Sequence, residues 1–81
     1  MTTRDSIETA YSFFHQKLRI YIHSTLDWQR DDIEQAIASY TDGMSPELYA
    51  RLAHGRQDFL RDHSRFADDL SLAVSELESL L

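Results

Sequence analysis

Apolar residues recur at spacings of three and four over the first part of the chain, which is the period of one face of an α-helix. This pattern predicts a first helix over residues 5–24 and a core-facing side along it. That side is formed by Ile7, Ala10, Tyr11, Phe14, Leu18, Tyr21 and Ile22.

Phe13 and Ile20 stand outside this face, seven residues apart and about 120° from its centre. Two interpretations are open. Both residues flank a wide core, or they form a second contact face with the aliphatic stem of Lys17 between them.

A second amphipathic helix is predicted over residues 27–42. Thr25 or Asp27 is expected as its N-cap, because either side chain can accept a hydrogen bond from the first-turn amides. Trp28 lies off the apolar side, so it either folds onto the core beside the loop or provides a contact for a partner. The apolar side is formed by Leu26, Ile33, Ala36, Ile37 and Tyr40.

The stretch TDGMSPELYARL, residues 41–52, holds the only proline of the chain and one of its two glycines. Gly43 is expected to end a helix in the left-handed conformation. Ser45 is a strong N-cap, and Pro46 at the first helical position gives up an amide that would have no partner there. These signals predict a corner between two helices with no chemical role.

The third predicted helix runs over residues 46–80, because apolar residues keep a heptad-like register over this whole length. Gly55 weakens a helix interior and Ser64 could cap a restart, so a break near either residue is the alternative. The sequence therefore predicts an all-α fold. It is a small bundle of three helices in one domain over residues 1–81, or of four helices if the third one breaks.

A continuous third helix of about 50 Å would outrun its neighbours. Its far end, residues 66–81, then carries an apolar stripe that nothing in the chain covers, unless the helix breaks and folds back as a fourth helix. An uncovered stripe predicts a partner or a homodimer interface. The predicted interface residues are Phe66, Leu70, Val74, Leu77, Leu80 and Leu81, with Phe13, Ile20 and Trp28 as further contacts.

Fourteen acidic against eight basic residues give a formal net charge of −6. Direct binding to nucleic acid is not expected, since it needs a basic face. The excess of acid suits a basic surface on another protein instead. The predicted acidic surface comprises Asp31, Asp32, Asp68 and Asp69.

The sequence carries no nucleotide-binding loop, metalloprotease motif or cysteine nucleophile, so an enzyme is not expected and no cofactor is implied. His23 with Asp27 and His54 with Asp58 stand four residues apart, but no metal site is predicted from either pair. His63 falls within the apolar stripe of helix three. It is expected in the core or at an interface, which its protonation would loosen.

No apolar run reaches the length of a membrane span, and the N-terminus lacks the features of a secretory signal. The absence of cysteine fits a reducing compartment. A cytoplasmic protein with no membrane contact is therefore expected.

Two functions remain as hypotheses. The first is a non-enzymatic protein-interaction module, such as an adaptor, a chaperone-like subunit or a small regulator. It would act through hydrophobic helix faces and form a homodimer through helix three. The alternative is a small acidic inhibitor that covers a basic, nucleic-acid-binding surface on another protein.

Overall fold

The protein is described here by a computed structural model that covers residues 3–81. Within this range the chain forms four α-helices and one 3-10 turn, with no strand. This confirms the all-α fold and the four-helix alternative. Residues 1 and 2 of the predicted domain lie outside the described range. The helices are α1 (Arg4–His23), α2 (Asp27–Gly43), α3 (Pro46–Ala53) and α4 (Phe66–Leu80), and the 3-10 turn at His63–Arg65 precedes α4.

The connection between α1 and α2 is held by a serine rather than by the predicted cap. Leu26 occupies the N-cap position of α2, so the prediction of Thr25 or Asp27 is wrong. The Ser24 hydroxyl donates to the Gln29 side chain at 2.7 Å and accepts from the backbone N–H of Leu26 at 3.3 Å. These bonds fix the short turn that places Leu26 at the surface.

The predicted corner is present, but Gly43 has a different role there. Helix α2 includes Gly43 as its last residue, and the extended residue Met44 follows it. A left-handed glycine is therefore not what ends this helix. Helix α3 begins at Pro46 with Ser45 in the N-cap position, as predicted.

The prediction of one continuous helix over residues 46–80 is wrong. Helix α3 ends at Ala53, where His54 takes the left-handed conformation with φ 51°, and Gly55 follows with φ 84°. Helical structure resumes at the 3-10 turn, where Asp62 Oδ1 accepts from the backbone N–H of Ser64 at 3.1 Å. Both predicted break points are used, and the irregular segment between them lets the chain reverse direction.

This reversal creates the core, because α4 now packs mainly against α1. The aromatic rings of Tyr21 and Phe66 lie 4.9 Å apart between their centroids. In the irregular segment, Phe59 and Leu60 are buried as well. A straight helix three would have left much of this surface in water. The fully buried large apolar side chains are Phe14, Ile37, Phe59, Leu60, Phe66, Leu70 and Leu77.

Candidate functional site

The apolar stripe of the last helix is not an exposed interface. Phe66, Leu70, Val74 and Leu77 are buried within the chain's own core. The expectation that nothing in the chain covers them is therefore wrong, and its cause is the fold-back of α4. Of the two remaining predicted positions, Leu80 packs partly against the core. Only Leu81, directly after the helix, is exposed.

Asp69 does not belong to an acidic surface either. Its side chain is 1% exposed, and its carboxylate accepts two hydrogen bonds from the Arg56 guanidinium, at 2.6 and 3.1 Å. The backbone N–H of Leu60 donates to the same carboxylate at 3.1 Å. The hydrogen bonds from Arg56 to Asp69, with burial opposing them, raise the pKa of Arg56. The exposed carboxylates of the predicted surface are those of Asp31, Asp32 and Asp68.

Exposed large apolar side chains are concentrated where α1 meets α2. Trp28 is 63% exposed, Ile22 is 55% exposed and Leu26 is 48% exposed. Ile20 also reaches the surface. We call Ile22, Leu26 and Trp28 the apolar corner; Ile20 is left out, because residues two apart on a helix point to different sides of it. Four of the six exposed large hydrophobic residues within positions 3–81 therefore fall inside nine consecutive positions.

The sequence located this corner only in part. Ile20 and Trp28 are predicted contacts and are exposed. Ile22 and Leu26 are predicted on the core-facing sides of their helices, but both side chains are exposed to solvent. Both lie near helix ends, where the core no longer covers the apolar side of the helix. Phe13 is partly buried, and its ring stacks on Tyr40 with centroids 4.6 Å apart, as expected if it flanks a wide core.

An open groove of about 700 Å³ adjoins the apolar corner. Ile22 is shared between the corner and the groove. Charged groups of both signs line it, with Asp27 and Asp31 on one helix together with Arg30. The groove is lined by Tyr21, Ile22, Asp27, Arg30, Asp31, His63, Ser64 and Ala67.

His63 is exposed beside this groove, so of its two predicted places, the core and an interface, the core is wrong. Its Nδ1 lies 2.8 Å from Oε2 and 2.9 Å from Oε1 of Glu34. The hydrogen bond and the negative charge of Glu34 raise the pKa of His63. Protonation therefore strengthens the contact between the 3-10 turn and α2 within the chain, while the loosening of an interface with another chain stays a prediction.

Glu34 is held from a second direction. The Tyr21 hydroxyl donates to Oε2 of Glu34 at 3.4 Å, so α1, α2 and the 3-10 turn meet at one carboxylate. Burial, followed by the charge of Glu34, raises the pKa of Tyr21. The guanidinium of Arg30 lies over the Tyr21 ring, 5.1 Å from its centroid.

Asp31 completes a group of three potential ligands. One donor atom each from Asp31, Glu34 and His63 lies within 4.8 Å of the others. The two carboxylates are three residues apart on α2, which places them on one helix face. His63 is distant in sequence, so no local motif revealed the group. The pairs considered from the sequence are not part of it, and His54 lies 3.8 Å from Glu76 instead of pairing with Asp58.

None of the helices within residues 3–81 combines the length and the apolar character that a membrane span requires. Comparison of the chain with family models, with curated proteins and with solved structures gives no match.

Proposed function

We propose that the protein is a non-enzymatic interaction module that binds another protein through the apolar corner. The observation that carries this proposal is the exposure of Ile22, Leu26 and Trp28 within seven consecutive positions around the turn between α1 and α2. Water contact with such side chains is unfavourable, so a concentration of them is typical of a docking surface. Tryptophan is also enriched among residues that dominate binding energy.

The charges around the corner indicate the kind of partner. Asp27, Asp31 and Asp32 lie in the first turns of α2 beside Trp28 and are exposed. Trp28 shares a helix face with Asp31 and Asp32, three and four residues further on. With a formal net charge of −6, the chain suits a protein surface that offers an apolar recess with a basic rim.

The predicted homodimer does not form part of this proposal. Its interface was to be the stripe that includes Phe66, Leu70 and Leu77, and these residues fill the core. A second copy is also a poor occupant of the apolar corner, because two rims of carboxylates would repel each other. The partner we propose is a different chain, met in the cytoplasm.

A second candidate function is a narrower form of the first. The basic rim of the partner could be a nucleic-acid-binding surface, which this protein would then block. The exposed carboxylates of Asp31, Asp32 and Asp68 favour it. Binding would then compete with DNA or RNA and weaken steeply with salt, because exposed charges are screened within about 8 to 10 Å at physiological ionic strength.

The test compares Trp28→Asp with Leu72→Asp. Leu72 is 59% exposed on α4 and outside the corner, so it is a matched control for an apolar-to-acidic change at the surface. Proteins from the host that bind the wild type are purified, and each is titrated with the wild type and with both variants. We expect Trp28→Asp to lower the affinity for the partner by about thirtyfold or more, the effect of losing a hot-spot residue. Equal affinity of the two variants would overturn the proposal.

A further inference from the structure

We propose that Asp31, Glu34 and His63 form a binding site for a divalent transition-metal ion of the zinc type. The three donor atoms lie within 4.8 Å of one another, and they come from α2 and from the 3-10 turn. This inference is independent of the proposed protein-binding function, because it concerns ion binding by the isolated chain.

The chemistry of the donors selects the class of ion. One imidazole nitrogen and two carboxylate oxygens are ligands that zinc and its neighbours accept, whereas magnesium and calcium favour oxygen alone. Two carboxylates also supply the negative charge that offsets a dication. Three protein ligands leave at least one coordination position for water. The adjoining groove, which Asp31 and His63 line, has room for that water.

The geometry needs only small side-chain movements. Bonds of about 2.0 to 2.2 Å from zinc to its ligands place tetrahedral ligands about 3.3 Å apart. His63 Nδ1 is now 2.8 Å from Oε2 of Glu34, and the largest separation in the group is under 4.8 Å. The site thus requires His63 and Glu34 to separate slightly, and any pair near the upper limit of 4.8 Å to close. Asp31 and His63 are exposed, so neither movement disturbs the core.

One ligand is already oriented by the fold. Glu34 accepts a hydrogen bond from the largely buried Tyr21 at 3.4 Å, which restrains its carboxylate in the way that outer-shell partners restrain metal ligands. The other contact between a histidine and a carboxylate, His54 Nε2 to Glu76 at 3.8 Å, offers only one carboxylate. His54 is therefore a natural control.

The positive charge of Arg30 disfavours binding of a cation, which provides a second, independent test. Its guanidinium stacks on Tyr21, and it lines the same groove as Asp31 and His63. The same charge repels a bound dication. Replacing Arg30 by glutamine should therefore strengthen zinc binding at this site, but it should not affect an ion bound elsewhere on the acidic surface.

The experiment is isothermal titration of the full chain, without affinity tag, with zinc chloride in a weakly coordinating buffer at about pH 8. We expect one saturable site in the wild type. His63→Gln should weaken it by about tenfold to a hundredfold, at least the cost of losing an outer-shell partner. His54→Gln should leave the affinity unchanged, and Arg30→Gln should raise it several-fold. Circular dichroism verifies that each variant folds.

Two results would overturn the proposal. The first is the absence of a saturable site at zinc concentrations up to about a thousandfold above the protein's own micromolar concentration. The second is equal affinity of His63→Gln and His54→Gln, which would mean that carboxylates elsewhere bind the ion. Loss of zinc binding leaves the Trp28→Asp comparison untouched, so the two proposals fail separately.

Discussion

The carboxylate of Asp69 and the guanidinium of Arg56 form a two-pronged ion pair, with donor–acceptor distances of 2.6 and 3.1 Å, across the break in the C-terminal half of the chain. Arg56 stands just after the end of α3, and Asp69 lies in the first turn of α4. Because Asp69 also accepts from the backbone N–H of Leu60, it joins both sides of the reversal to the irregular segment between them.

Asp69→Ala should therefore lower the free energy of unfolding by about 3 to 5 kcal/mol, the typical cost of breaking a buried charge pair from one side. The matched control is Asp42→Ala. Asp42 accepts from Arg61 at the same distance of 2.6 Å, but it is exposed. Its loss should cost less than about 1 kcal/mol. Urea denaturation of both variants measures the difference, and similar losses would show that Asp69 is not a structural anchor.

The starts of α1, α2 and α3 were predicted within one residue, but the predicted continuation of α3 beyond Ala53 is wrong, and the start of α4 was indicated only by Ser64 as an alternative restart. The apolar register is maintained through Gly55 and Ser64, so periodicity alone favoured one long helix. Tertiary contacts favour the break over one long helix. They are the buried ion pair between Arg56 and Asp69 and the burial of Phe59. These contacts join positions that no local pattern connects.

The break between α3 and α4 predicts stability changes of opposite sign for substitutions at His54 and Gly55. With φ of 51° and 84°, both residues adopt a conformation that costs a residue with a Cβ about 1 to 2 kcal/mol relative to glycine. Gly55→Ala should therefore destabilise the protein by about that amount, and His54→Gly should stabilise it by up to about 1 kcal/mol.

A continuous helix would reverse both signs, because alanine is about 1 kcal/mol better than glycine in a helix interior. Thermal unfolding of the two variants beside the wild type is sufficient to decide. A lower melting temperature for His54→Gly together with a higher one for Gly55→Ala would contradict the break.

The contact between His63 and Glu34 predicts a pH dependence of stability in the metal-free protein. The pKa of folded His63 is raised above its ordinary value near 6.5, chiefly by the hydrogen bond and charge of Glu34, with a smaller contribution from Asp31 and opposition from Arg30. A raised pKa means that the stabilisation is complete below the unfolded pKa. It is lost as the pH rises through the folded pKa.

The measurement is the free energy of unfolding of the wild type minus that of His63→Gln, between about pH 5 and pH 9 with a chelator present. We expect this difference to be larger at the acidic end. His54→Gln, measured in parallel, accounts for a general effect of removing one histidine. A difference that grows towards alkaline pH would mean that protonated His63 does not pair with Glu34.

The candidate sites were less predictable from the sequence than the fold. Trp28 could be selected because its position on the helix is off the apolar side. Ile22 and Leu26 satisfied the core pattern, but they lie near helix ends, where the core does not cover them. No sequence pattern singles out Glu34, because its contact with His63 depends on the reversal after α3.

The burial of Leu70 and the exposure of Trp28 predict that the two residues respond differently to truncation. Leu70 is fully buried in α4, so Leu70→Ala should cost about 2 to 5 kcal/mol through lost apolar contacts and the cavity left behind. Trp28 is mostly in water, and Trp28→Ala should change stability by no more than about 0.5 kcal/mol.

The measurement is the free energy of unfolding from chemical denaturation, made over a hundredfold range of protein concentration with the solution mass determined alongside. A concentration-independent result for the wild type, with the cost confined to Leu70→Ala, agrees with a core that is complete within one chain. If Leu70→Ala instead lowered the mass without lowering the stability, the C-terminal stripe would be an interface after all.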